Sequence, residues 1–326
     1  MSKYLITGAT GGLGSSAVAH LSKDVDASEI SVLVRDASSD KAKAYEAKGY
    51  ELRVADYDNS EKLEAAFKDI EDLYFVSASD IPSREPQHKN VVTAAKNAGV
   101  KHVVYTSAGR KDESQDSPVA AVMDAHIKTE KWLQESGMAY TILRHNLYAE
   151  VVPMFLGEKE TLLNSKTVFL PTGEGKTAFA SRDELAEAGA TVLKNHQAHE
   201  NKIYTLDGLE AVAFTKIASI LTEVTGEEIS YVSPDVDTFK TTMASYGVPE
   251  GAIGMMISFS LGGGFAPAPV SAGLGGGFEL VRVLGPRDNF STAATKSVHW
   301  IQSSSFSLLP LSTTEKETGS SSKTNV

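Results

Sequence analysis

Three glycines near the start of the chain, Gly8, Gly11 and Gly14, have a spacing suited to binding a dinucleotide. Without β-carbons, such a turn lets backbone N–H groups approach a pyrophosphate and lets the next helix pack close to the preceding strand. A glycine triplet alone is weak evidence. This one lies in KYLITGATGGLG, where Tyr4-Leu5-Ile6 is a predicted strand and Ser15 to Leu21 a predicted helix. Thr10, Gly12 and Leu13 complete the loop expected to carry the phosphates. The next predicted strand, Ile30 to Val34, bears on which dinucleotide is bound, because it ends at Arg35-Asp36. An arginine there can pair with the 2′-phosphate of NADPH, whereas an acidic residue would hold the ribose hydroxyl of NAD. Arg35 comes first and favours NADPH; the alternative leaves Arg35 solvated and gives the ribose to Asp36.

The elements that must position these residues alternate regularly. Glu51 to Ala55 reads as a third strand followed by Asp56, a further candidate cofactor contact, and Ser60 to Phe67 as a helix with Leu63, Ala66 and Phe67 on one face. Leu73 to Val76 is the fourth strand and leads into Ser77; a helix over 87–98 precedes Val100 to Tyr105, the fifth. A helix over 123–136 then leads to Ala139 to Leu143, followed by Arg144-His145-Asn146-Leu147-Tyr148. This alternation predicts an α/β fold, a Rossmann-type doubly wound parallel sheet with helices on both faces. Ligands in such sheets lie at the carboxyl ends of the strands, so Ser77, Tyr105, Thr106 and Ser107 are expected where a nicotinamide ribose meets a substrate.

After residue 150 the pattern weakens. Ser181-Arg182-Asp183-Glu184 marks a helix start, followed by a strand over 202–206, a helix over 214–225 and a last strand over 229–232. The expected organisation is a dinucleotide-binding core over 1–150, a smaller C-terminal substrate-binding part over 151–261, and a Gly/Ser-rich tail over 262–326, disordered at least from Ser303.

Composition narrows the function classes. With 326 residues, 41% of them hydrophobic, the chain can bury a large core, and a formal charge of -11 without a basic patch argues against gripping nucleic acid. The absence of cysteine excludes disulfides and thiolate chemistry. No apolar run is long enough to span a membrane, and the first strand begins at once rather than after a leader, so a cytoplasmic protein is expected. Some local signals carry little. Gly173 to Thr177 lacks the leading glycine of a phosphate loop, and Asn289-Phe290-Ser291 matters only in a secreted chain. His196 and His199 have a ligand-like spacing but no evident third ligand nearby, so no metal is expected.

Several segments together resemble the atypical short-chain dehydrogenase/reductases of the NmrA-like group, especially their quinone and triphenylmethane reductases. They are LITGATGGLG (5–14), VLVRD (32–36), NVVTAAKNAGVKHVVYTSA (90–108), GMAYTILRHNLY (137–148), SRDELAEAGATVL (181–193) and HENKIYTL (199–206). The similarity runs in order over about residues 1–261. It implies NADPH binding and hydride transfer to a small quinone-like or aromatic acceptor. The Tyr-x-x-x-Lys pair of alcohol-oxidising relatives is missing, since Tyr105 is followed at that spacing by Gly109 and Tyr140 by Arg144. Quinones are strongly electrophilic and need less help with the proton than ketones do. Candidate auxiliaries are His126 and Lys128, with the alternative that His126 is a packing contact and Lys128 and Glu130 form a solvated face, and Asn146 and Tyr148, nearer the expected acceptor, though Tyr148 could equally pack in the core. The resemblance leaves a second reading open, a redox sensor that binds NADP without turnover and regulates a protein partner, and a third, a biosynthetic reductase with a larger substrate. It also weakens after Ser260. The family ends near a Leu-Gly-Arg-like segment, whereas here Val283-Leu284-Gly285 runs into Pro286-Arg287-Asp288-Asn289. A one-base shift in that reading frame can encode Gly-Arg-Glu-Thr-Thr, so a frameshift near Gly285 is expected, and an unshifted transcript would refute it.

Overall fold

The computed structural model describes residues 3–263. The expectations for the tail, including the frameshift near Gly285, fall on residues outside that range, apart from Gly262 and Gly263. The first half contains β1 (Tyr4–Ile6), α1 (Gly12–Leu21), β2 (Ile30–Val34), α2 (Asp40–Ala47), β3 (Glu51–Val54), α3 (Ser60–Phe67), β4 (Asp72–Val76), α4 (Ile81–Ala98), β5 (His102–Ala108), α5 (Ala120–Glu135) and β6 (Ala139–His145). The second half contains α6 (Val152–Leu156), α7 (Lys159–Ser165), β7 (Thr167–Phe169), β8 (Lys176–Thr177), α8 (Arg182–Lys194), β9 (Lys202–Leu206), β10 (Val212–Ala213), α9 (Phe214–Thr225), β11 (Ser230–Val232), α10 (Val236–Ser245) and α11 (Glu250–Ser258).

Seven strands form one sheet in the order β3-β2-β1-β4-β5-β6-β9, and every neighbouring pair is parallel. The chain winds outward in one direction from β1 to β3 and in the other from β4 onward, so β1 and β4 flank the switch point where a doubly wound sheet opens a crevice. Both sheet faces are buried, as parallel strands require. Strand alternation sends Tyr4, Ile6, Tyr74 and Val104 into the core under α1 and α8, and Leu5, Leu73, Phe75, Val103 and Tyr105 into the core under α3, α4 and α5. A third core gathers Phe155, Leu170, Phe214, Leu221 and Phe239 from the second half, where β7 pairs with β11 and β8 with β10.

Some boundaries differ from the sequence expectation for physical reasons. α4 begins at Ile81, not residue 87. Pro82 stands in its first turn, where the missing N–H has no partner to lose, and Pro86 lies inside the helix. β4 starts one residue earlier than expected, and β5 runs from His102 to Ala108 rather than from Val100 to Tyr105. The start of α8 is as expected and carries a full capping box: Ser181 accepts from the Glu184 N–H and Glu184 accepts from the Ser181 N–H. Among the described residues no helix is long and apolar enough to cross a membrane.

Candidate active site

The glycine turn lies at the carboxyl end of β1. Gly8 has φ +60°, in the left-handed region, and its carbonyl accepts the Gly11 N–H at 2.9 Å. A β-carbon on Gly14 would collide with that same carbonyl, so α1 can approach the strand only with a bare residue at 14. Gly11 caps α1 without a side chain over the helix end, and the first turn has no acidic residue. Exposed Gly11 and Gly12 therefore leave N–H groups and the positive end of the helix dipole open to an anion, while Leu13 is buried beneath them. Two residues of α2 hold the turn: the Tyr45 hydroxyl donates to the Ala9 carbonyl at 2.7 Å, and Lys41 Nζ to the Thr10 carbonyl at 2.6 Å. These features fit a pyrophosphate-bearing cofactor.

Arg35 is exposed directly after β2. Asp36 is drawn into its own turn, where its Oδ1 accepts the Ser38 N–H at 2.8 Å and the Ser38 hydroxyl at 2.7 Å. Those bonds hold its carboxyl below the ordinary value. Asp56 is half-buried and accepts the Asp58 N–H at 3.1 Å. Lys41 was not singled out by sequence reasoning, because the helix that carries it has little apolar periodicity to announce it.

The other expected residues separate into two groups. Ser77 is half-buried at the end of β4, its N–H donating to Thr106 Oγ1 at 3.0 Å. Tyr105 does not face the crevice. It is fully buried, with its hydroxyl 2.8 Å from His126 Nδ1 and 3.3 Å from His88 Nδ1. The expected strand stopped at Tyr105, whereas β5 continues three residues further, which leaves Tyr105 inside the core. Arg84 can only donate, so His126 Nε2, 3.3 Å from Arg84 Nη1, accepts, and the neutral ring carries its proton on Nδ1 toward Tyr105. Likewise the Ala78 N–H donates to His88 Nε2 at 2.9 Å, leaving the His88 proton on Nδ1 beside Thr129 Oγ1. Burial, and then the Arg84 charge, holds His126 well below its ordinary pKa and His88 at about 3. Both nitrogens of each ring are therefore engaged inside the core.

Ser107 is also buried, donating to Glu130 Oε1 at 2.5 Å. Glu130 receives two bonds from Arg110, at 2.7 and 2.8 Å, and two from Arg144, at 2.6 Å from Nη2 and 3.2 Å from Nε. Burial pushes the Glu130 carboxyl up, but the two arginines outweigh it and the pKa lies below its ordinary value. This cluster beneath the end of β5 was not legible in sequence, because its members come from α5, β6 and the loop between β5 and α5. Lys128 stands apart on the surface of α5, paired with Glu85 at 2.8 Å and Asp124 at 2.7 Å, whereas Glu130 is buried, so the two do not form the shared solvated face weighed from the sequence.

Asn146 and Tyr148 follow β6. Asn146 is occupied at both ends, donating to Asp207 Oδ1 at 2.8 Å and accepting the Leu147 N–H at 2.7 Å. Tyr148 has its ring under the Arg182 guanidinium at 4.7 Å and its hydroxyl 3.4 Å from His145 Nδ1. Burial pushes its phenol up to about 12, partly offset by Arg182, so it stays a proton donor at any working pH. Arg182, the first residue of α8, connects the two halves of the site. A β-carbon on Gly12 would lie 3.3 Å from its Cδ, while its backbone N–H is held by Glu150 Oε1 at 2.9 Å. Sequence reasoning found the start of α8 but gave Arg182 no role. Its neighbours Gly12 and Tyr148 lie far away in the chain.

Residues 1–265 match the NmrA-like family. Quinone oxidoreductase 2 of Escherichia coli is 37% identical over 257 residues, 79% of this chain and 86% of the relative. The crystal structure of an NADPH-dependent quinone oxidoreductase from that organism, complexed with NADPH, is similar with a TM-score of 0.71 over 79% of this chain and 88% of the other. The triphenylmethane reductase of Citrobacter sp. complexed with NADP(H) is 30% identical, with a TM-score of 0.77, over 90% of this chain and 100% of the other. With a family match over most of its length and relatives of 30% identity or more, the chain belongs to the NmrA-like family.

Proposed function

We propose that this chain is an NADPH-dependent reductase that transfers hydride to a quinone or related conjugated aromatic acceptor. The observation that carries the reading is the glycine turn at the β1/β4 switch point, open to an anion and flanked by Arg35 and Lys41 while Asp36 is held in its own turn. The similarity to a quinone oxidoreductase solved with NADPH points to the acceptor class.

Bound NADPH would supply the hydride. In this reading the first turn of α1 and Arg182 hold the pyrophosphate, Arg35 and Lys41 the 2′-phosphate, and Asp56 the adenosine. Ser77 borders the nicotinamide ribose. Tyr148 donates a hydrogen bond to the acceptor oxygen as charge develops on it, which its high pKa suits. The buried His88–Tyr105–His126–Arg84 cluster and the Glu130 cluster keep the crevice floor fixed, and Asn146 anchors the β6 exit to Asp207. Residues 151–261 form the substrate-binding part, and the cytoplasm is the proposed compartment. The test is NADPH oxidation by the purified chain with a panel of quinones and NADH as parallel donor. Acceptor-dependent turnover that prefers NADPH supports the reading; tight NADPH binding without turnover, together with capture of a protein partner, would transfer it to the sensor.

A further inference from the structure

At the end of the sheet opposite the glycine turn, three residues with ligand-type side chains meet. Asp72 and His102 open β4 and β5 and are register partners, and His196 arrives from the turn just after α8. His196 therefore does have ligand-type neighbours, but they come from 94 and more positions away in the chain, while His199 turns aside to the Tyr204 hydroxyl at 2.9 Å. One ligand atom from each of the three lies within 4.8 Å of the others. His196 Nδ1 is 3.1 Å and His102 Nδ1 3.9 Å from Asp72 Oδ1.

Hydrogen bonding leaves the His102 member of this group facing Asp72 as an acceptor. The Thr141 hydroxyl donates its single proton to the His199 carbonyl at 2.7 Å. His102 Nε2, 2.9 Å from the same oxygen, must then be the donor in that pair. Neutral His102 therefore carries its proton on Nε2 and presents a bare lone pair at Nδ1. Both Asp72 oxygens, His102 Nδ1 and His196 Nδ1 are buried without a hydrogen-bond partner, and Asp72 is 1% exposed. The nearest cation, Lys3 Nζ, lies 4.0 Å from the outer oxygen Oδ2, and Lys101 is paired with Glu71 at 2.5 Å. A buried carboxylate that faces the bare nitrogen of His102, with a second imidazole nitrogen 3.1 Å away, is a donor set that suits a cation.

We propose that Asp72, His102 and His196 form a zinc site that clamps the turn after α8 to the amino-terminal edge of the sheet. Two ligands at about 2.1 Å from a tetrahedral ion stand about 3.4 Å apart, so Asp72 and His196 already lie at a suitable spacing, His102 must close on Asp72 by about 0.5 Å, and the two imidazoles, stacked at 5.1 Å between centroids, must turn toward a common ion. Two imidazoles and a carboxylate are a common zinc donor set, a water takes the fourth position, and the Thr141 bond to His102 is the outer support such ligands use. The site is remote from the proposed hydride transfer, and its role is to fix the far end of the helix that places Arg182.

The test uses the full chain, purified without a histidine tag, stripped with a chelator and titrated with zinc. Expected results are one zinc per chain by elemental analysis, a melting temperature that rises with zinc, and a low-coordinate d–d spectrum when cobalt replaces zinc. His196→Ala, at a half-buried turn position where the fold should survive, is expected to abolish all three. Thr141→Val is expected to weaken binding by about 10–100-fold, and His199→Ala to leave it intact. Failure of the wild type to take up zinc at micromolar concentrations, or equal uptake by His196→Ala, would overturn the proposal and leave a protonated His196–Asp72 ion pair.

Discussion

Replacing both Arg35 and Lys41 with alanine should convert a donor preference into indifference. Arg35 is exposed beyond β2, and Lys41 Nζ is held over the turn by the Thr10 carbonyl at 2.6 Å. If both meet the 2′-phosphate, each contributes a charge-assisted hydrogen bond of about 1.5–3 kcal/mol. The lower end is appropriate for solvent-exposed groups, because screening acts over a Debye length of about 8 Å at physiological salt. At about 1.4 kcal/mol per factor of ten, the double variant should lose roughly 100-fold in NADPH affinity and each single variant roughly tenfold. NADH binding should fall less than NADPH binding, because Arg35→Ala removes no contact to the shared part of the cofactor and Lys41→Ala removes only its bond to the Thr10 carbonyl of the glycine turn. The assay is kcat/KM for both donors with one quinone, with Kd from quenching of nicotinamide fluorescence, at low and high sodium chloride. Raising salt should weaken NADPH binding to the wild type and hardly affect the double variant. An unchanged NADPH-to-NADH ratio in the double variant would refute the assignment. A rise in the KM for NADH on Asp36→Ala would instead return the ribose to Asp36, against its engagement by Ser38.

Other expectations concern the acceptor, the framework and pH. Tyr148→Phe keeps the ring beneath Arg182 but removes the hydroxyl, and kcat should fall about tenfold, less than the 100-fold or more typical of a full oxyanion donor, because quinones are reactive; unchanged NADPH binding with unchanged kcat would remove Tyr148 from the mechanism. Glu130→Ala leaves the Arg110 side chain, 1% exposed, without its inner partner, and should cost about 3–5 kcal/mol by urea unfolding; a loss below about 1 kcal/mol would mean that Glu113, which also pairs with Arg110 at 2.8 Å, suffices. Burial holds His88 and His145 at about 3 and His126 well below its usual value. These depressed values mean that the neutral rings favour the folded state, so their contribution is complete above pH about 6.5 and declines as pH falls, by up to about 1.4 kcal/mol per pH unit for each ring. Urea midpoints should therefore drop steeply from pH 6.5 toward pH 4, and a flat profile would mean that the rings protonate within the folded protein.

What the sequence revealed and what it hid follow from the range over which each feature is determined. The glycine turn was legible because its requirements are local and concern the backbone: a left-handed Gly8, a bare Gly14 and an uncapped helix start all lie within seven residues. The parallel sheet was legible for the same reason, since alternating apolar strands and helices of this length admit few other arrangements. Side-chain placement depends on register, and there small errors matter. Ending β5 at Tyr105 instead of Ala108 put Tyr105 at the strand mouth when it belongs in the core. Starting β4 at Leu73 rather than Asp72, and β5 at Val100 rather than His102, hid the fact that Asp72 and His102 are cross-strand partners. Lys41, Arg182 and His196 show the remaining limit. Each sits near the end of an otherwise ordinary helix, and its importance lies in what another part of the chain brings to it: the Thr10 carbonyl, Gly12 with Tyr148, or Asp72. α8 carries two of these three, Arg182 at its start and His196 just after its end. A helix fixed at its base by a cation and bearing at its other end an arginine over the glycine turn would couple cofactor affinity to metal occupancy. Zinc should then tighten NADPH binding to the wild type by the same factor by which NADPH tightens zinc, and it should do neither in His196→Ala.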